Sequence, residues 1–269
     1  MTEMKIGFLG AGNMATALLK GILHLGDINK SNIYIYDPSP EKREQCATYG
    51  VVLCNDNREV VYNSRYIFLC VKPQVCNEVF LQLQGVDFSG KVLVSICAGV
   101  TIDTIRSGLG QSLSVVRAMP NTPLLLGEGM TALACPPDVD TGDFDTIRSL
   151  FDASGKTVVV KESELSAVTA VSGSGPAYCF KLARAVVEEG TALGLSYETA
   201  LSLFCQTMRG SAAMLLESGY DPTGLIQMVT SPKGTTLAAS EVFDANEFEP
   251  VTRRAVRACF DRAQELAGQ

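Results

Sequence analysis

Apolar positions follow two different rhythms along this chain. Up to about residue 160, compact apolar runs alternate with helical stretches. Lys5–Leu9, Asn32–Tyr36, Arg65–Val71, Lys91–Ile96 and Ser114–Ala118 read as strands covered on both faces. Asn13–Leu25, Pro40–Tyr49 and Gln74–Leu83 lie between them with helical spacing. Met130–Ala134 and Thr157–Val160 read as two more strands, on either side of a helix over Asp143–Ala153. The β-α-β-α order predicts a parallel, doubly wound sheet of Rossmann type. After Lys161 the strand rhythm stops. Pro176–Leu193 and Tyr197–Glu217 read as long helices. In the last segment Val251, Ala255, Cys259, Ala263 and Leu266 form one apolar stripe, with Arg253, Arg254, Arg257 and Arg262 off it. The pattern thus predicts an α/β domain over residues 1–160 and an all-helical domain over 161–269. The second carries more apolar stripe than so few residues can bury alone, which predicts a dimer built through it.

Composition narrows the function. The chain has 269 residues, 46% of them hydrophobic, with a net charge of −7, so an anionic partner such as nucleic acid or a membrane surface finds no basic face. No apolar run reaches the roughly 18 residues of a membrane span, and the N-terminus has no signal-peptide pattern. Nine cysteines at irregular spacing, with no C-x-x-C, read as buried thiols of a reducing compartment, the cytoplasm, and not as a disulfide framework or metal site. His24 is the only histidine and falls on the wet face of a predicted helix. Histidine metal clusters are excluded, and no tyrosine has the lysine four residues on that short-chain dehydrogenases use. The chemistry expected here does not lean on a conventional acid–base side chain.

Two segments carry chemistry. Gly10–Ala11–Gly12–Asn13–Met14–Ala15 follows the first strand and opens a helix as G-x-G-x-x-A. The first glycine permits the tight turn, the second lets a pyrophosphate approach the backbone, and the small third residue packs helix on sheet. The pyrophosphate then meets the free N–H groups of the helix start. Asp37 ends the second strand, where an acid accepts hydrogen bonds from an adenosine ribose and favours NAD. Ser39, Lys42 and Arg43 next to it suit the 2′-phosphate of NADP or a simple helix cap, so the motif leaves the coenzyme open. Val71–Lys72–Pro73 and Cys97–Ala98–Gly99 close two other strands at the carboxyl edge where a nicotinamide ring lies. Farther on, Ser172–Gly173–Ser174–Gly175–Pro176–Ala177–Tyr178 reads as a capped helix start. Thr230–Ser231–Pro232–Lys233–Gly234–Thr235–Thr236 has more hydroxyls than one cap needs. The N–H groups of Gly234, Thr235 and Thr236 with the Ser231 hydroxyl predict a carboxylate pocket.

Together these motifs resemble the pyrroline-5-carboxylate reductase family along essentially the whole chain. The resemblance adds Ala98–Thr101, Arg117–Pro123 and Gly127–Thr131 to the runs above. It is most specific in Ser172–Tyr178 and Ser231–Thr236. It implies a helical domain intertwined between subunits, as a homodimer or an oligomer of dimers. It also implies a substrate site between the cofactor and the helical domain of the dimer. It implies NADPH as reductant, with NADH as the alternative. Residue by residue, it puts the pyrophosphate on Gly10, Ala11, Gly12, Asn13 and Met14, and the nicotinamide half by Cys70, Val71, Lys72, Pro73, Cys97, Ala98 and Gly99. Ser39 and Asn57 match positions at the adenosine ribose or its phosphate. The pyrroline carboxylate falls to Gly234 and Thr235, the ring nitrogen to Thr236, and Glu162 matches a further position near the substrate. The sequence departs from the family at Lys233 (usually glycine), Arg184 (usually acidic) and Ser240 (usually small and aliphatic).

The implied activity, hydride transfer from NAD(P)H to 1-pyrroline-5-carboxylate giving L-proline, suits the missing acid–base groups. A cyclic imine enters as an iminium already primed for hydride, and the protein mainly positions it. Thr236 is then the hydrogen-bond partner at the ring nitrogen, with water as the other proton source. Two readings compete. A β-hydroxyacid dehydrogenase-like enzyme needs a lysine four residues after the helix-opening glycine, and Lys181 stands six after Gly175. A non-enzymatic dinucleotide sensor has no use for a carboxylate pocket.

Overall fold

The computed structural model describes residues 4–268. Strands and helices alternate through β1 (Ile6–Leu9), α1 (Asn13–His24), β2 (Ile33–Tyr36), α2 (Pro40–Ala47), β3 (Val52–Leu53) and α3 (Asn57–Asn63). They continue through β4 (Tyr66–Leu69), α4 (Cys76–Leu83), β5 (Val92–Ser95), α5 (Ile102–Leu109) and β6 (Ser114–Met119). Then come β7 (Gly129–Ala134), α6 (Thr141–Asp152), β8 (Gly155–Val159) and the single turn α7 (Leu165–Val168). The remainder is helical: α8 (Gly175–Ala192), α9 (Tyr197–Glu217), α10 (Pro222–Val229), α11 (Thr235–Ala245) and α12 (Phe248–Ala267).

The eight strands form one sheet in the order β3-β2-β1-β4-β5-β6-β7-β8. The order reverses between β1 and β4, so their carboxyl ends flank a crevice of the kind that receives ligands in doubly wound sheets. Strand alternation splits the interior in two. Ile6, Phe8, Phe68 and Val94 face one buried cluster with Leu18, Leu19, Ile22 and Phe151. Leu9, Ile67, Leu69 and Leu93 face another with Phe80, Ile105 and Leu109. Both faces being covered, the strands show as unbroken apolar runs.

The sequence pattern predicts a parallel sheet, and the fold departs from it at one pair of strands. β7 runs antiparallel to β6. The connection over residues 120–128 is too short for the crossover of about a dozen residues that a parallel return requires. β3, α3 and α5 leave no readable sign in the sequence pattern. α3 buries only Val60 and Val61 of its apolar residues, and β3 is two residues long, so neither leaves a period to read. α5 contains Gly108, which reads as a breaker. In the fold this glycine serves close packing, because a Cβ there would lie 2.5 Å from the Phe80 ring. His24 is exposed at the end of α1.

The described chain divides into two compact units, residues 4–174 with 259–268, and residues 175–258. The sequence change near residue 160 marks the end of β8 instead. Residues beyond it stay with the sheet because Leu165 is buried with Ala132 and Ala134, and because Asn121 donates to the Ser172 carbonyl at 3.3 Å. In the second unit α8 and α9 pack together, yet Val187 and Ala200 are its only buried apolar side chains among those described. Phe180, Leu203, Leu216, Met228 and Val242 are exposed. Among the described residues no helix is long and apolar enough to cross a membrane, and no cluster of His, Cys, Asp and Glu is placed to hold a metal ion.

Candidate functional site

The turn after β1 is held from two sides. The Gly10 N–H donates to the Tyr36 carbonyl at 2.8 Å, and the Ala11 N–H donates to Asp37 Oδ2 at 2.9 Å. Gly10 takes φ +102°, a left-handed backbone, and a Cβ there would stand 2.8 Å from the Cys70 carbonyl oxygen. Gly12 then begins α1 with no side-chain cap. Elsewhere Ser39, Asp56, Thr101, Asp140, Ser196 and Asp221 cap α2, α3, α5, α6, α9 and α10. Uncapped, the first turn of α1 offers its N–H groups and the positive end of its dipole to an anion.

A cleft of about 430 Å³ opens in front of this turn. It brings together Gly12, Asn13, Met14, Cys70, Val71, Lys72, Pro73, Cys97 and Ala98, which the sequence singles out from three separate segments. Its remaining lining, Ile96, Met119–Thr122 and Gly173, is not assigned in the sequence reading, although Pro120–Asn121 directly after a buried strand is a visible signal of a loop at the carboxyl edge. Lys72 is the one charged residue in that lining. Burial pushes the Cys70 thiol well above its ordinary value, and the Cys97 thiol points to the carbonyls of Val71 and Leu69 at 3.2 and 3.5 Å. The lining of the cleft is thus mainly apolar and holds no carboxylate or imidazole to move a proton.

Other predicted residues stand elsewhere. Asp37, 5% exposed, has both oxygens engaged: Oδ1 accepts from the Ser39 N–H at 2.9 Å, and Oδ2 accepts from Ala11 and from Lys42 Nζ at 3.3 Å. Its carboxylate thus builds the turn, which leaves little of it for a ribose. The Ser39 hydroxyl faces the Lys42 N–H at 3.5 Å as the cap of α2. Asn57 is buried and donates to Gln82 Oε1 at 2.6 Å. Gly99 and Glu162 line a separate cavity of about 360 Å³, where Glu162 pairs with Arg117. The Ser172–Tyr178 run is not a helix cap. A π-helical turn over Thr169–Gly173 leads into α8, with the Ser174 N–H bonded to the Thr169 carbonyl at 2.8 Å.

The second unit holds the other predicted site. α11 also starts at a glycine, Gly234, with no side-chain cap, so the N–H groups of Thr235 and Thr236 face outward. The Gly234 N–H, expected to bind a carboxylate, is instead spent on the Ser231 carbonyl at 3.0 Å. That bond closes a turn with Pro232 second and Lys233 third, and Lys233 takes φ +60°. Pro second and a left-handed third residue are the marks of a type II turn, which glycine fills without strain. The lysine thus occupies a place whose requirement is backbone shape. Ser231 tucks beneath Gly234, its Oγ 2.3 Å from where a Cβ would lie.

Comparison with known proteins gives one answer. Residues 162–266 match the family described as pyrroline-5-carboxylate reductase dimerisation, and residues 5–99 match NADP oxidoreductase, coenzyme F420-dependent. The pyrroline-5-carboxylate reductase of Pseudomonas aeruginosa is 40% identical over 100% of this chain and 99% of its own length. That of Escherichia coli is 34% identical over 98% of this chain and 99% of its own. Among solved structures, Plasmodium falciparum pyrroline carboxylate reductase with NADP bound superposes with a TM-score of 0.91 at 30% identity, covering 99% of each chain.

Proposed function

The chain belongs to the pyrroline-5-carboxylate reductase family, and on that premise we propose that it reduces 1-pyrroline-5-carboxylate to proline with NADPH. The observation that carries this reading is the pair of uncapped, glycine-started helices, α1 beside a ring-sized cleft and α11 with its two threonines. α1 receives the pyrophosphate at Gly10–Met14, and the walls at Cys70–Pro73 and Cys97–Ala98 hold the nicotinamide half. NADPH supplies the hydride. Lys42 and Arg43, next to an Asp37 already engaged by its own turn, favour the 2′-phosphate over a bare ribose, with Ser39 and Asn57 at the adenosine end. The Thr235 N–H and the Ser231 hydroxyl take the substrate carboxylate, Gly234 shapes the turn beneath it, and the Thr236 hydroxyl meets the ring nitrogen. An iminium needs no general acid before hydride arrives, which fits a cleft without one.

The test is oxidation of NADPH and of NADH by the purified protein with pyrroline-5-carboxylate. Turnover is expected with both and faster with NADPH. Inactivity with both in a folded sample refutes the activity.

The second unit is the homo-oligomer contact, and we assign it a dimer as the basic assembly. An apolar surface that leaves only Val187 and Ala200 buried is covered by a second copy. Sedimentation at micromolar concentration should show a dimer or a multiple of it, and a folded monomer contradicts the assignment.

A further inference from the structure

Glu162 is buried in neither of the two sites, yet its side chain reaches across three segments of the first unit. Its Oε1 accepts from the Ile102 N–H at 2.8 Å and from Arg117 Nη1 at 3.1 Å. Arg117 is 7% exposed, on β6, and the pair lines the cavity next to the coenzyme cleft. Each tied point leads to a wall of that cleft. Ile102 is the first residue of α5 and ends the loop that begins at Cys97–Ala98. Arg117 lies two residues before Met119, where β6 runs out into Pro120, Asn121 and Thr122. Glu162 itself opens the segment that ends at Gly173.

The loop has little else to fix its exit. Thr101 caps the Thr104 N–H, which leaves the Ile102 N–H as an orphan donor until Glu162 takes it. Gly99 turns at φ +76° against the last turn of α12, where a Cβ would lie 2.9 Å from the backbone of Leu266. The far end of the third segment is tied separately: Asn121 donates to the Ser172 carbonyl at 3.3 Å and accepts from the Met130 N–H at 2.9 Å. A charged acceptor serving a helix start and a buried guanidinium together is a strong and directional link.

We propose that Glu162, held by Arg117, is a positioning residue that sets the spacing of the walls around the nicotinamide half of the coenzyme. This rests on the reading of the cleft as the coenzyme site. The pyrophosphate turn and the adenosine end are built by other residues, Asp37 and Gly10 among them, so the effect of Glu162 is confined to one half of the ligand. That confinement makes the role testable apart from general stability.

The experiment measures dissociation constants on the assembled full-length protein for two ligands. NADPH spans both halves, whereas adenosine 2′,5′-bisphosphate carries only the adenosine end. Glu162→Ala is expected to weaken NADPH about tenfold and to leave the bisphosphate within about twofold. Glu162→Gln keeps an acceptor for the Ile102 N–H and loses the charge facing Arg117, so it should weaken NADPH about threefold, again selectively. Equal weakening of both ligands, or unchanged NADPH binding, overturns the proposal. So does a rise in KM for the imine alone, which would make Glu162 a substrate contact. If Glu162→Ala fails to fold, Glu162→Gln and Arg117→Lys decide, and no shift for NADPH in either is the overturning result. Wild-type protein that binds neither ligand refutes the coenzyme reading itself and is distinguishable from all of these.

Discussion

Thr236→Ala is expected to lower kcat with pyrroline-5-carboxylate by about 10²–10³, and Thr235→Ala by far less. Both residues lie in the first turn of α11, exposed and with no capping role, since that helix begins at Gly234 without a side-chain cap. The two differ in what they offer. Thr235 contributes a backbone N–H that alanine keeps. In the proposed reading Thr236 contributes a hydroxyl at the nitrogen whose charge changes as hydride arrives, and loss of one positioned hydrogen bond at such an atom costs about 2.7–4 kcal/mol. If water delivers the proton, the loss falls to the low end of that range or below it. Neither hydroxyl serves as a cap, so the two variants should melt alike. Comparable losses of kcat in two equally stable proteins would remove Thr236 from its role.

The next largest effect should separate the two glycines of the first turn. Gly10→Ala puts a side chain on a left-handed backbone and within 3.0 Å of the Cys70 carbonyl and the Val71 side chain. It should destabilise the protein by about 2–4 kcal/mol. Gly12→Ala meets nothing within 4 Å, and φ is −72° there, so the cost is that of a poorer helix start, under about 1 kcal/mol. Yet the added methyl stands where the proposed function brings the pyrophosphate down on α1. Gly12→Ala should therefore keep its melting temperature within a few degrees and lose NADPH affinity by about 30-fold or more, equivalent to about 2 kcal/mol. Titration of NADPH fluorescence alongside thermal melts reads both quantities. Normal NADPH binding by Gly12→Ala would move the pyrophosphate elsewhere.

How much of this was legible in the chain depends on how far each feature is written in local chemistry. α9 runs over Tyr197–Glu217 in the fold as in the pattern, because Ser196 caps it and no proline interrupts it. The buried strands are equally plain, since residues covered on both faces must all be apolar. Features set by partners distant in sequence were hidden. The antiparallel β7 follows from the length of a connection, and Gly108 from a ring on a different helix. Asp37 looks like a ribose ligand until Ala11, Ser39 and Lys42 are seen around it. At Gly234 a hydrogen bond within the Ser231–Gly234 turn takes up an N–H that the sequence alone leaves open. Arg117 and Glu162 each stand in the family resemblance, but nothing in the sequence shows that these residues, 45 positions apart, form a pair.

The first unit is assembled from two stretches of chain, with residues 175–258 looped out between them. The terminal stretch carries Leu266 against Gly99 and Cys259 against Ser174, where the sulfur lies 3.2 Å from the hydroxyl. Synthesis proceeds from the N-terminus at about 5–20 residues per second, and domains usually fold as they emerge. Here the sheet can form early, but the brace on its coenzyme loop leaves the ribosome only after the whole of the second unit. A nascent chain therefore carries an unfinished coenzyme site and a bare apolar half at the same moment.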